Sequence, residues 1–349
     1  MQIIPGRQDL AKSPLFLIAP FFFLGTAMVV MKFVLPHTTP LFLAGFRLVP
    51  AGVLILAGAA LAKLPQPQGW RAWLWIGLFG LVDGALFQGF LTEGLVHTGA
   101  GLGSVLIDTQ PLVVALLSRL ILGDLIGLWG WLGLLVGLAG VALCGLPESL
   151  IYQLFKESSA INMTGFDWTH LWQSGEFLMI VAALAMSFGT IIVRYVKQYA
   201  DPIVGTGWHM IIGGIPLLVL SWLYESGQIS NLDGNGWAGL GYSSLFGTAV
   251  TYGIFFYLAA TGNVTSVSAL IFLTPVFALL FSYFTLGETL TNLQWIGVAL
   301  TLISVFLVNQ RNQIAQWFAT LGAKTATESA VVEAVATEMG KPDSARSRV

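Results

Sequence analysis

Eight side chains stand where their cost demands a purpose. Arg47, Asp83, Glu93, Asp108 and His209 are ionisable residues within or beside long apolar runs, and Gln88, Gln110 and Tyr252 add hydrogen-bonding groups to the same runs. A charge at the centre of a bilayer costs about 2.5–3.5 kcal/mol on insertion scales, so each needs a partner or a task. Arg47, about six residues into its run, can hold a carboxylate or another anion; the plainer reading is a side chain that locks an acid or reaches the headgroups. Histidine changes charge near neutral pH, so His209 is a candidate for proton exchange or substrate hydrogen bonding, against the reading of a satisfied core histidine. Asp83 falls at mid-helix depth and is expected to pair with Arg47 or to carry a proton. Asp108 is a candidate cavity acid for a cation or a proton, with Gln110 two residues on. Positions 83, 88 and 93 advance by five-residue steps of about 140° each, so they do not share one helix face. Glu93 therefore reads as interfacial. Tyr252, Tyr257 and Trp208 are candidate aromatic walls, against the more usual reading of lipid-facing or core aromatics.

The elements that must hold these groups follow from composition. The chain has 349 residues, 56% hydrophobic and 9% charged, with mean hydropathy +0.81. A soluble domain carries about 25% charged residues. The fold class is therefore an all-α membrane protein, since a spanning helix needs about 20 apolar residues. Ten segments qualify: 15–35, 41–62, 72–92, 101–122, 128–146, 176–196, 203–223, 237–258, 265–286 and 292–309. They neither alternate nor stop at the length of barrel strands. Residues 1–14 form a short polar start, 147–175 a long connection, and 310–349 a polar tail whose composition reads as disordered. The net charge of −2 and a single cysteine, Cys144, give no case for nucleic acid, a disulfide or a thiolate metal cluster. No phosphate-binding loop or metal-ligand spacing occurs, so no cofactor is expected.

The chain also repeats itself. Ser104–Leu143 matches Ser268–Leu307 at 13 of 40 positions with a constant offset of 164. The matches include Pro111 with Pro275, Leu122-Gly123-Asp124 with Leu286-Gly287-Glu288, and Trp131 with Trp295. Further upstream the offset is 162, pairing Pro40 with Pro202, Lys32 with Arg194 and Arg47 with His209. Two five-helix repeats result, 15–146 and 176–309. An odd number of spans per repeat makes the second half enter the membrane upside down. With the N-terminus cytoplasmic, inside segments hold twelve Lys and Arg residues and outside segments only Lys32 and Lys156, a strong positive-inside bias. Inverted halves are the layout of secondary transporters, with the substrate site near the midplane between them. A channel built from inverted repeats is the alternative. Pro111 and Pro275 each lack an N–H for the preceding turn and should kink their helices. Asp124 and Glu288 should cap the helix that follows each of them. Gly130, Gly133, Gly137 and Gly140 mark a close helix contact.

The duplicated pattern Pro–x10–Leu-Gly-Asp/Glu–x6–Trp-x-Gly resembles the drug/metabolite transporter superfamily, in its EamA-type ten-helix branch. Phe46-Arg47 followed by small residues is similar to that family's second-helix signature. Departures are Asp124 where Glu is usual, His209 opposite Arg47, and the long central loop. The resemblance implies export or exchange of a small metabolite such as an amino acid; the inverted repeat implies alternating access about a central cavity, driven by a substrate or proton gradient.

Overall fold

The computed structural model describes residues 14–123, 126–145, 172–254, 270, 273–310, 313, 314, 316 and 317. Among the described residues every regular element is helical. The helices are α1 (Pro14–Val34), α2 (Pro40–Leu61), a continuous α3 made of Trp70–Phe79, a π-helical stretch Gly80–Phe87 and Gln88–His97, then α4 (Ala100–Ile107), α5 (Gln110–Leu122) and α6 (Leu128–Gly145). The second half supplies α7 (Gly175–Tyr199), α8 (Pro202–Tyr224), α9 (Gly234–Ser244) running into a π-helical stretch Leu245–Val250, α10 (Leu273–Leu286) and α11 (Asn292–Asn309). Six helical segments are long and apolar enough to cross a membrane: Leu15–His37, Pro40–Leu61, Trp70–His97, Ala100–Ile121, Gly175–Tyr199 and Pro202–Tyr224. Shorter apolar helices occupy the expected fifth, ninth and tenth positions, and α9 with its π stretch the eighth. The protein is an integral membrane protein. Of the expected tail only residues 310, 313, 314, 316 and 317 are described, the last four helical; the rest of it, the interfacial turn in the central connection, Tyr257 and Asp124 lie outside the described residues.

Two glycine contacts give the relation between the halves. A Cβ on Gly45 would fall 2.9 Å from the Gly214 carbonyl, and one on Gly52 would fall 2.7 Å from that of Gly207. As α2 ascends, its partner in α8 descends, so these repeat mates are antiparallel. Exchanging the halves turns the contact of 45 with 214 into that of 207 with 52. The α6–α11 pair behaves alike: a Cβ on Gly133 would approach the Ser304 carbonyl (3.1 Å), and Gly140 and Gly297 would each approach the other's carbonyl (2.9 and 2.8 Å). Antiparallel mates that map onto each other require a two-fold axis perpendicular to the helices, hence in the membrane plane. Small residues permit it, because in lipid close backbone packing replaces the hydrophobic effect as the cement between helices.

The π-helical stretches obey the same symmetry, since Gly80–Phe87 and Leu245–Val250 overlap at the 164-residue offset. A π turn inserts one residue into the ladder and re-aims its neighbours. In the second copy, hydroxyls follow the altered register: Thr248 and Thr251 each donate to a carbonyl five residues back, Ser243 at 2.9 Å and Phe246 at 2.7 Å.

Pro111 does more than kink. The fourth span stops at Ile107 and restarts at Gln110, with Pro111 in the first turn of α5. Asp108, expected inside a helix, terminates α4 instead, with φ −70° and ψ 1°. Thr109 seals the break by donating its hydroxyl to the Leu106 carbonyl at 2.6 Å. Pro275 lies within α10, and residues 271 and 272 before it lie outside the described residues.

Candidate functional site

A chamber of about 90 Å³ lies among the inner helices, bordered by Met31, Arg47, Gln88, Ser104, Asp108, Tyr252 and Thr274. A vestibule of about 350 Å³ shares Asp108, Tyr252 and Thr274 with it and continues past Gln110, Phe79 and Thr206 to Lys197 and Pro202. Three pairs of repeat mates line this space: Leu24 with Met186, Gln88 with Tyr252, and Gln110 with Thr274. Paired lining from equivalent positions places the cavity on the pseudo-two-fold axis. A larger groove of about 530 Å³ follows α10 and α11. It is apolar, and its Ser282 and Glu288 are already hydrogen-bonded, so it resembles a lipid-facing flank more than a site.

The chamber's polar groups are poorly satisfied. Arg47 is buried; it donates from Nε to the Thr248 hydroxyl at 2.9 Å and from Nη1 to the Met31 thioether at 2.8 Å. Among the described residues it forms no ion pair. A hydroxyl and a thioether are weak compensation for a buried guanidinium with five donors. On the same void, Asp108 leaves Oδ2 buried with no hydrogen-bond partner, and the same holds for Gln88 Oε1 and Thr274 Oγ1. Buried polar atoms are normally paired, so four under-satisfied side chains around one void mark a place for a polar guest. Gln110 is further out and donates to Thr190 at 2.5 Å.

Three expectations need correction. Asp83 does not meet Arg47. It faces His209 instead, with Oδ2 3.3 Å from Nε2, because the π stretch turns Asp83 toward α8 and into a notch where a Cβ on Gly189 would overlap its carboxyl. Glu288 does not cap α11, whose N-terminus carries its own capping box of Thr291 and Gln294. It accepts from the N–H groups of Ala100 (2.9 Å) and Gly101 (3.2 Å), capping α4 of the other half. Trp208 is no cavity wall: its indole donates to Gln66 Oε1 at 3.0 Å on the periphery. Glu93 lines neither the chamber nor the vestibule.

The vestibule reaches the Lys197–Pro202 end of the bundle. At the other end, Glu225 of the second half accepts from Leu41 and Phe42 at the start of α2 (3.0 and 3.2 Å), in addition to the Glu288 cap. Thr38 donates to the Gln228 carbonyl (2.6 Å) and Thr98 to Glu176 (3.0 Å). All these bonds join the halves. Lys32 adds bonds to the carbonyls of Leu95 and Val96 (2.7 and 3.1 Å).

The comparisons with known proteins agree with this geometry. The EamA-like transporter family matches residues 11–146 and again 173–310, one match per repeat. The chain belongs to the EamA-like transporter family. Among EamA relatives, an uncharacterized transporter of Synechocystis sp. is 54% identical over 90% of this chain and 94% of its own length. A WAT1-related chloroplastic protein of Arabidopsis thaliana is 48% identical over 84% of this chain and 68% of its own. The uncharacterized inner membrane transporter YedA of Escherichia coli K12 is 26% identical over 84% and 90%. One crystal structure superposes with a TM-score of 0.55 at 16% identity, covering 86% of this chain and 96% of that one, and speaks to the fold alone.

Sequence reasoning missed Thr274 and Glu225. Thr274 was detectable as the mate of Gln110, a polar position beside the duplicated proline. Glu225 had no signal, since an acid at the end of an apolar run reads as an ordinary interfacial charge.

Proposed function

We propose that this EamA protein is a secondary transporter that exports or exchanges a small zwitterionic metabolite of amino-acid size by alternating access. The observation that carries the reading is the chamber on the pseudo-two-fold axis, where a buried arginine with no acidic partner among the described residues and a carboxyl group with a buried, bare oxygen border one void. Arg47 would take the substrate's carboxylate, with a planar fork suited to two parallel hydrogen bonds. Asp108 would take its ammonium group. Gln88 and Thr274 would receive the remaining donors, and Tyr252 would supply a wall. The cavity volumes fit a solute of this class and are small for a bulky drug.

Both termini are assigned to the cytoplasm and the chain to the inner (plasma) membrane, on the strength of the twelve-to-two distribution of Lys and Arg. The end tied by Glu225 and Glu288 then faces outward, and this conformation is inward-open. Equal packing of the halves in the mirrored arrangement supplies the outward-open state.

The test is exchange in proteoliposomes with three matched panels: L-amino acids, the amines left by removing their carboxyl group, and the acids left by removing their amino group. Saturable flux, accelerated by substrate on the far side and confined to the intact amino acids, is the expected outcome. Equal flux of the truncated panels refutes the zwitterion assignment. Flux without saturation or countertransport refutes alternating access and makes the protein a channel.

A further inference from the structure

The Asp83–His209 pair lies one layer behind the vestibule wall. Phe79 stacks on the His209 ring at 4.0 Å between centroids, and Thr206 offers its carbonyl to Nδ1 at 2.6 Å; both residues border the vestibule on their other side. The His209 ring is 2% exposed. A carbonyl only accepts, so Nδ1 carries a hydrogen. That leaves Nε2 facing Asp83 Oδ2, and two acceptors do not make a bond. One further proton must lie between them, either on the ring against a carboxylate or on the carboxyl against a neutral ring. The sealed pair thus holds one removable proton and is neutral overall.

Symmetry gives this pair a partner in the chamber. His209 of α8 is the mate of Arg47 of α2, and Asp83 is the mate of Gly247, beside the Thr248 that binds Arg47. In each case a basic residue of the second helix of one half reaches the π stretch in the other half. Today's conformation puts the arginine at the chamber and the histidine behind the wall. When the halves exchange shapes, the wall now in front of His209 is the part that opens.

We infer that Asp83 and His209 form a proton-carrying site, distinct from the substrate chamber, which is sealed in this conformation and meets the cavity in the opposite one. The guest is a proton, and the step is simple transfer. Losing it leaves a carboxylate against the lone pair of a neutral imidazole, so release requires the water that opening admits. Tyr252, just beyond the second π stretch, borders both the chamber and the vestibule. Asp108 lies across the vestibule from Phe79. From α7 the neighbour is Gly189; Arg194 on that helix is exposed and Tyr195 is stacked on Trp75. On α3 itself Glu93 stands ten residues on, and α8 adds no second charge.

The inference rests on the transport reading and has its own test. Proteoliposomes containing pyranine are given an outward or inward gradient of an equimolar mixture of the twenty L-amino acids. Wild type is expected to change the internal pH, and Asp83→Asn/His209→Gln to lose that change while still exchanging labelled amino acids at matched pH. Amino-acid flux in wild type without proton movement, or proton movement that survives in the double variant, overturns the inference and leaves the transport reading intact. If wild type moves none of the mixture, the transport reading fails, and ring ¹⁵N spectra in nanodiscs decide the dyad. The ring ¹⁵N pattern of His209 (assigned by its loss in His209→Gln) should change in Asp83→Asn. A His209 signal indifferent to Asp83→Asn overturns the proton site.

Discussion

Replacing Glu288 by glutamine should loosen the closed end of the transporter. The carboxylate now receives two backbone N–H groups at the start of α4, at 2.9 and 3.2 Å, and brings negative charge to a helix N-terminus. Glutamine keeps one neutral acceptor and has no charge. The loss is one charge-assisted hydrogen bond together with the helix-end attraction, about 1.5–2.5 kcal/mol in total. Because these bonds exist only while the end is closed, the whole loss falls on the closed state. The population open at that end then rises about 10- to 60-fold, as long as it starts as the minor state.

The single cysteine makes the measurement clean. In a Cys144→Ala background, Ser104→Cys places a thiol on the chamber. A membrane-impermeant thiol reagent applied from the Glu288 end should label it faster in Glu288→Gln by the factor above, and Glu225→Gln should act in the same direction. Asp201→Asn is the control: Asp201 caps its own helix, accepting from Ile203 and Val204 at 2.9 and 3.3 Å, and spans no gap between halves. An unchanged labelling rate in Glu288→Gln, or an equal rise in Asp201→Asn, refutes the idea that the trans-caps hold this end shut.

Asp108→Asn should lower transport efficiency about 10- to 100-fold, the worth of one charged hydrogen bond to the guest, with little change in thermal stability; flux equal to wild type removes Asp108 from the site. Arg47→Met should separate function from folding. Substrate affinity should fall by about tenfold or more, while the melting temperature in detergent holds or rises, since an uncompensated buried cation is removed. A fall in melting temperature with transport preserved would make Arg47 a structural residue. Gly52→Val, whose first carbon alone would lie 2.7 Å from the Gly207 carbonyl, should cost about 1–3 kcal/mol by overpacking. Gly58→Ala on the same helix meets open space and should be neutral or stabilising.

The fold was legible because its signals are long and redundant. Apolar runs of bilayer length mark the spans, and the glycines of the sixth helix predicted a contact that Gly133, Gly137 and Gly140 make. The site was legible in part. Arg47, Gln88, Asp108 and Tyr252 stand out as polar interruptions, and they meet at one chamber. What failed was pairing. Sequence depth alone brought Asp83 toward Arg47; the one-residue shift of a π turn, invisible in the pattern, sends it to His209. The trans-caps failed for a similar reason. A capping acid is expected to serve the helix next to it in sequence, and Glu288 is released from that duty by the capping box of Thr291 and Gln294.

Duplication explains why chemistry and scaffold are separable here. The positions that set backbone geometry are shared by both halves: the glycine crossings, the π stretches, and the prolines at 111 and 275. The charges at the site are not shared. Arg47 answers to His209, Asp83 to Gly247, and Asp108 to Phe272. A perfectly symmetric chamber would present the same groups to both sides of the membrane and bind equally from each. Under the proposed mechanism, keeping the hinge parts alike preserves two packings of similar energy, as alternation requires. Making the charges unlike gives each packing its own contents: in this one a guanidinium waits at the chamber and a proton is held behind the wall. A ligand can drive the exchange only by binding the two packings unequally, and the unlike mates are where that inequality resides.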